Sequence, residues 1–206
     1  MFPLEQAVLP TAIVPLHIFE PRYRQFARDI TARDEPEFGI APIERGREVG
    51  GEDVRSDVGV VARVVQAEEF PDGRWGLVAT ATRRIRVVEW LTDDPYPRAT
   101  VEDWPDEDAE TYSEATAGAP RASLDAIVTH IVDLAGRLNP AQDIPQVTLP
   151  TDDAQATWQA AVFVQVGPLD AATLLREPAA ATRLTRTVEF LQERAEMLEA
   201  LADERG

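Results

Sequence analysis

The chain has 206 residues, 44% of them hydrophobic, no cysteine and a formal charge of −17. That length supports one large domain or two small ones, and that charge repels phosphate backbones and anionic membrane surfaces. All 20 cationic side chains are arginine, so neither a P-loop, which needs its lysine, nor a serine–lysine hydrolytic dyad can form.

Met1-Phe2-Pro3-Leu4-Glu5 lacks the basic region and apolar core of a secretion signal. No segment approaches the roughly 20 apolar residues of a membrane span. With no disulfide framework either, the chain reads as cytoplasmic. Val8 to Val14 reads as a strand, and Ile13 to Phe19 as extended chain, because Pro15 pushes its predecessor out of the helical region and β-branched residues cluster there. Glu20-Pro21 restarts the chain as a helix: proline at the first helical position loses no internal hydrogen bond, and Tyr23, Phe26, Ala27 and Ile30 follow at helical spacing. Ile40 to Ile43 supplies another strand. Residues 57 to 69 and Trp75 to Trp90 form a hairpin around Pro71-Asp72-Gly73, with Arg84 and Arg86 on one face of the second arm and Ile85 and Val87 on the other. Pro97 to Trp104 adds a further strand. Many short strands, turn residues and one early helix predict a small twisted β-barrel.

At Glu102 the composition changes: through Glu114, seven of thirteen residues are acidic. The stretch from 105 to 119 reads as a solvated linker between subdomains 1–104 and 120–206. Residues 101 to 206 carry 20 acidic residues against 7 arginines, and residues 1 to 100 carry 17 against 13. Beyond the linker the period becomes helical. Leu124, Ile127, Val128, Ile131, Leu134, Ala135 and Leu138 form one stripe, stopped by Asn139-Pro140. A second helix follows Asp152-Asp153 with Trp158, Val162, Phe163 and Val166 buried, and ends at Gly167-Pro168. Asp170 is expected to cap a short third helix bearing Leu174 and Leu175. The last begins near Pro178, and its stripe of Leu184, Val188, Leu191, Ala195, Leu198 and Ala202 suits docking in its own bundle or a weak coiled-coil dimer. The chain is therefore expected to be a monomer or a weak dimer.

Candidates for catalysis are few. His17 reads as a packed structural residue and His130 as the edge of an apolar stripe. Ser56, Ser113 and Ser123 lack a nucleophile elbow. Asp106-Glu107-Asp108 lacks the glycine-centred spacing of a calcium loop and reads as solvated charge. No catalytic residue, metal site or cofactor is assigned. Arg22, Arg24, Arg28, Arg83, Arg84 and Arg86 could grip acidic groups of a partner, but with 37 carboxylates in the chain they are expected mainly in internal ion pairs. Surface recognition remains, and its candidate partner-binding residues are Trp75, Arg84, Arg86, Trp90 and Tyr96. Large aromatics offer much contact area for little lost entropy, and arginines can grip a partner's carboxylates.

The run Pro15-Leu16-His17-Ile18-Phe19-Glu20-Pro21-Arg22-Tyr23-Arg24 closely resembles the signature of the amino-terminal domain of Lon proteases. Phe38–Ala41, Gly46–Gly51, Val58–Val64, Asp72–Arg74 and Arg83–Val87 resemble that domain's later blocks, in order. The resemblance covers roughly residues 1 to 104, with a helical remainder similar to the family's second subdomain. It implies an α+β protein with an amino-terminal PUA-like barrel and a helical subdomain. It also implies non-enzymatic binding of unfolded protein segments or peptides, with a separate protease as a candidate recipient. RNA binding, known among PUA-like barrels, is the alternative, which the charge disfavours; peptidase activity is a remote one. Two departures stand out: Leu9-Pro10-Thr11 replaces a Phe-Pro-Gly turn, and Ala81 replaces a glycine before the arginine strand. Each removes a residue that tolerates positive φ. The signature itself reads as a structural corner, with no site assigned to it.

Overall fold

Strand-rich and helix-rich halves of the sequence fold as two units, Met1–Pro105 and Asp106–Gly206. The computed structural model describes the backbone of residues 1–45, 54–109, 114–142 and 144–204, and the side chains of the same residues except 114–119. The block Gly46–Gly51 and Ser113 lie outside the described residues.

The first unit runs β1 (Phe2–Leu4), β2 (Ile13–Ile18), α1 (Pro21–Thr31), β3 (Glu37–Arg45), β4 (Val54–Arg55), β5 (Val58–Glu69), β6 (Trp75–Leu91) and β7 (Arg98–Asp103). Its sheet is ordered β1-β3-β5-β6-β2, with β4 on β3 and β7 on β6; β1 runs parallel to β3 and the other pairs are antiparallel. No ladder joins β1 to β2 among the described residues, so the sheet is open where a barrel was expected. Its core is aromatic at the corner that the sequence predicts. Pro21 opens α1 after an extended Glu20, and α1 buries Tyr23, Phe26, Ala27 and Ile30. Phe2 of β1 lies 4.5 Å from the Tyr23 ring and 5.7 Å from Phe26, whose ring meets Phe38 edge-on at 5.2 Å. The hairpin turn is also as expected. Phe70 N donates to Arg74 O at 2.8 Å around Gly73, which sits at φ 77° where glycine is tolerated best.

The strand predicted over Val8 to Val14 starts only at Ile13. Ala12 N donates to Leu9 O at 3.2 Å, so the chain turns there, and Thr11 takes φ 74° while its N–H reaches Ala81 O at 2.9 Å. The fold thus imposes the left-handed turn on a β-branched residue. Its Oγ1 is also buried without a hydrogen-bond partner. Ala81, by contrast, keeps negative φ in β6 and is not strained. Thr11→Gly is therefore expected to raise stability by about 1 kcal/mol: relief of the left-handed conformation and of the buried hydroxyl outweighs glycine's greater unfolded-state entropy. A thermal melt checks it, and an unchanged or lower midpoint refutes it.

The second unit contains α2 (Glu114–Leu138), α3 (Asp153–Val164), α4 (Pro168–Arg176) and α5 (Ala180–Asp203). Leu124, Val128, Ile131 and Leu134 of α2 pack with Ala156, Ala160 and Val164 of α3 and with Leu184, Val188, Leu191 and Ala195 of α5. The α5 stripe therefore docks within its own bundle. On α3 the buried face is centred on the alanines, and Val162 and Phe163 stay half-exposed, because close helix approach favours small side chains. Asp152 caps α3 by accepting from Gln155 N at 2.7 Å. Gly167, not Asp170, precedes α4; Asp170 lies in its first turn. Two of the three residues read as solvated charge are engaged. Asp108 caps α5 by accepting from Ala180 N at 2.7 Å and Ala181 N at 3.0 Å, and Asp106 pairs with the fully buried Arg183 at 2.6 Å. Helix α2 starts at Glu114, inside the stretch read as linker, with Pro120 within it.

Candidate functional site

Strand β2 is apolar on both faces, although only one face is needed for the core. Val14, Leu16 and Ile18 point inward and are buried, whereas Ile13, Pro15 and His17 alternate outward. Phe19 continues the outward row. Ile13 is 70% exposed and Phe19 51%. A solvated face of a sheet ordinarily carries polar residues, so this row is not explained by folding. His17 sits between Phe19 and Phe70, 6.5 and 6.4 Å from their rings.

From Pro15 onward the row borders a groove of about 230 Å³ between β1 and β2, lined by Phe2 and Leu4 on one side, Pro15, His17 and Phe19 on the other, and Tyr23. The register fixes which backbone groups face it. Ala81 N donates to Ala12 O at 2.9 Å, and β2 then pairs with β6 without a break from Ile13↔Thr80 to Ile18↔Trp75. Hydrogen-bonded pairs alternate in an antiparallel ladder, so Val14, Leu16 and Ile18 bond β6, and the backbone groups of Ile13, Pro15 and His17 point to the free edge. Pro15, with no N–H, sits where an edge strand accepts proline. The arginines of the signature hold the corner: Arg24 Nε donates to Phe19 O at 2.8 Å, and Arg22 pairs with Glu20 at 3.1 Å while stacking on Tyr23. Arg28 reaches Glu69 at 3.5 Å.

The five residues singled out from sequence lie apart from this groove's lining. Trp75 and Trp90 stand at opposite ends of β6. Trp75 is buried, and Trp90 stacks under the Arg55 guanidinium at 5.0 Å. Arg84 and Arg86 lie 4.5 and 4.4 Å from the Trp104 ring. The neighbouring Arg83 is held by Asp103 at 2.9 Å and Glu37 at 3.1 Å, and the hydrogen bond to Asp103, foremost, raises its pKa. Tyr96 donates to Asp29 at 2.8 Å, and burial, then that carboxylate, pushes its pKa up. The outward row escaped sequence reasoning because the run containing it was explained as a corner. The available signal was the absence of alternation: apolar residues at every position from Ile13 to Phe19 except His17.

No group of three histidine or acidic side chains suited to a metal occurs among the described residues, and no described helix is long and apolar enough to cross a membrane.

The model of the ATP-dependent protease La (LON) substrate-binding domain matches residues 1–193. Among curated proteins, Lon protease 2 of Herpetosiphon aurantiacus is 29% identical over 132 residues, 62% of this chain and 16% of that protein. Lon protease 1 of the same organism is 25% identical over 194 residues, 92% of this chain and 23% of its own length. The chain thus spans under a quarter of these relatives. Two solved structures share the fold. The Lon N-terminal domain protein from Xanthomonas campestris has a TM-score of 0.62 at 22% identity, covering 91% of this chain and 95% of that one. The N-terminal domain of the Mycobacterium avium complex Lon protease has a TM-score of 0.64 at 17% identity, covering 92% and 96%. With an α+β fold shared by both structures and a family match over most of its length, the chain belongs to the Lon substrate-binding domain family.

Proposed function

We propose that this chain is a non-enzymatic recognition module that takes extended apolar protein segments into the groove beside β2. The observation that carries the reading is the outward row Ile13, Pro15, His17 and Phe19, of which the last three line a groove with an unpaired strand edge. A segment lying there adds backbone hydrogen bonds to the N–H groups of Ile13 and His17 and the carbonyls of Ile13, Pro15 and His17, while its alternate side chains meet the row. Most of a folded protein's strands are already paired or protected at their edges, so the mode favours unfolded chain. On this reading the sheet is a PUA-like barrel opened at the β1–β2 seam, and the setting is cytoplasmic, with delivery to a separate protease as the use. Of the residues singled out from sequence, Trp75 and Arg84 are buried and Tyr96 is half-buried, so the exposed Arg86 and half-exposed Trp90 are the secondary candidate positions to substitute.

RNA binding is disfavoured by the charge of −17 and because Arg83 is ion-paired while Arg84 and Arg86 stack on Trp104. The test compares a labelled globular protein in its native form with the same protein reduced and alkylated so that it stays unfolded. Preferential binding of the unfolded form is expected. The double substitution Ile13→Ser, Phe19→Ser should weaken it at least about tenfold, since burial of each side chain contributes on the order of 1 kcal/mol or more. The melting midpoint should hold, as both residues are exposed. Equal binding of native and unfolded protein, or an unaffected double variant, would reject the reading.

A further inference from the structure

A second groove lies in the helical unit, where the end of α3, the start of α4 and the outer face of α5 meet. It encloses about 240 Å³, with Val164 and Val166 on one wall, Phe190 and Met197 on the other, and Asp170 and Glu193 at its mouth. Its shape depends on one unusual turn: Gln165 ends α3 at φ 56°, ψ 60°, and Val166 N returns to Ala161 O at 3.1 Å. Along α5, Phe190, Met197 and Leu201 fall at i, i+7 and i+11, hence on one side of the helix. Met197 is 56% exposed and Leu201 41%, and Leu169 of α4 stands 84% exposed nearby in sequence to the groove-lining Asp170. The inward stripe Leu184, Val188, Leu191 and Ala195 already satisfies the bundle. The outward one is left over.

One flank is acidic, and Arg194 lines the groove itself. Glu189, Glu193 and Glu196, all exposed, lie along one side of the stripe, whereas Glu199 lies on the opposite face of the helix from Phe190. Glu199 is held by His130 at 2.7 Å, and Arg194 leans on Met197, Nη1 3.7 Å from its sulfur. A second copy of this chain would bring the same negative face against itself, which like-charge repulsion opposes. The stripe from Phe190 to Leu201 is about 16 Å long at 1.5 Å per residue, the length of a three-turn helix.

We propose that this groove docks a cationic amphipathic helix of a partner protein, its apolar side over Phe190, Met197 and Leu201 and its basic side facing Glu189, Glu193 and Glu196. The flexible methionine suits a surface that adapts to different apolar side chains. The surface is separate from the β2 groove and needs an opposite chemistry of partner: preformed helix and positive charge in place of extended apolar chain.

The probe is a labelled 18-residue peptide with leucine at helical i, i+3, i+4, i+7 spacing and arginine or lysine elsewhere, titrated with the full chain by fluorescence anisotropy. Two comparators keep the leucines: one replaces the basic residues with glutamate, the other breaks the helix with two prolines. The basic helix is expected to bind at least tenfold more tightly than either, and more weakly as salt rises. Met197→Glu should lower affinity at least tenfold, although it adds a negative charge. Simple polycation adhesion predicts the reverse, so tighter or unchanged binding by Met197→Glu overturns the proposal, as does equal binding of the proline peptide. Glu193→Arg with Glu196→Arg should weaken binding and flatten its salt dependence; no change overturns it. Self-association that Met197→Glu abolishes would also overturn it, by making a second copy the occupant. The Ile13→Ser, Phe19→Ser variant should bind the peptide like the parent, which keeps the two surfaces separable.

Discussion

Arg183→Ala is expected to lower the stability of the helical unit by roughly 3–5 kcal/mol, the range for breaking a buried ion pair by removing one partner. Arg183 is fully buried; its two terminal nitrogens each lie 2.6 Å from an Asp106 oxygen, and its guanidinium stacks 4.1 Å from the Trp158 ring. Truncation leaves the Asp106 carboxylate, itself only 15% exposed, without its counter-charge, and opens a void beside Trp158. Asp106→Ala strands the cation in the same way and should be of similar size. Replacing both at once, Arg183→Ala with Asp106→Ala, removes the charges together and should cost less than the sum of the single changes. Urea denaturation of the four proteins measures this. A coupling below about 0.5 kcal/mol would show that the pair does not act as a unit.

The second large effect is expected at Gly59. A Cβ there would overlap the carbonyl oxygen of Ile40, with the carbonyl carbon at 3.1 Å and Ala41 Cα at 3.2 Å. All three are backbone atoms of β3, so β3 and β5 must part for alanine to fit, and the ladder loses hydrogen bonds as well as packing. Gly59→Ala should therefore destabilise by about 3 kcal/mol or more. Gly39 provides the control. A Cβ at Gly39 also overlaps a neighbour, but that neighbour is the Met1 sulfur, the far end of a flexible side chain that can swing away. Gly39→Ala should cost only about 1 kcal/mol. Thermal melts of the two variants separate backbone from side-chain collision, and similar losses would contradict the distinction.

Local chemistry explains which parts of this fold were legible in the sequence. Pro21 with Tyr23, Phe26 and Ile30, the Asp72-Gly73 turn and the α2 and α5 stripes each combine a period with a start or stop residue, so neighbours in sequence suffice. Strand β1 escaped notice because its three residues are ordered by a parallel partner, Phe2 opposite Ile40, far along the chain. The engagement of Asp106 and Asp108 escaped for the same reason: an acidic run reads as solvated until the arginine and helix start it meets are known. Thr11 shows the converse. Loss of the turn glycine was visible, and the structure keeps the turn with threonine under positive φ. For the candidate groove, the residues were visible but their faces were not, since only the β2–β6 register separates Val14, Leu16 and Ile18 from Ile13, Pro15 and His17.

The Asp106 and Asp108 contacts also bear on how the chain can be divided. An acidic stretch invites cutting anywhere within it, as a tether whose length alone matters. Here its first residues belong to the helical unit: Asp106 neutralises Arg183, and Asp108 supplies the cap that α5 lacks locally. A fragment beginning at Pro120 would carry every helix-core residue and still leave a buried cation and two helix-start N–H groups without their carboxylate acceptors. The natural point of severance lies ahead of Asp106, so that what composition marks as a spacer is, in its opening residues, the first structural element of the second unit.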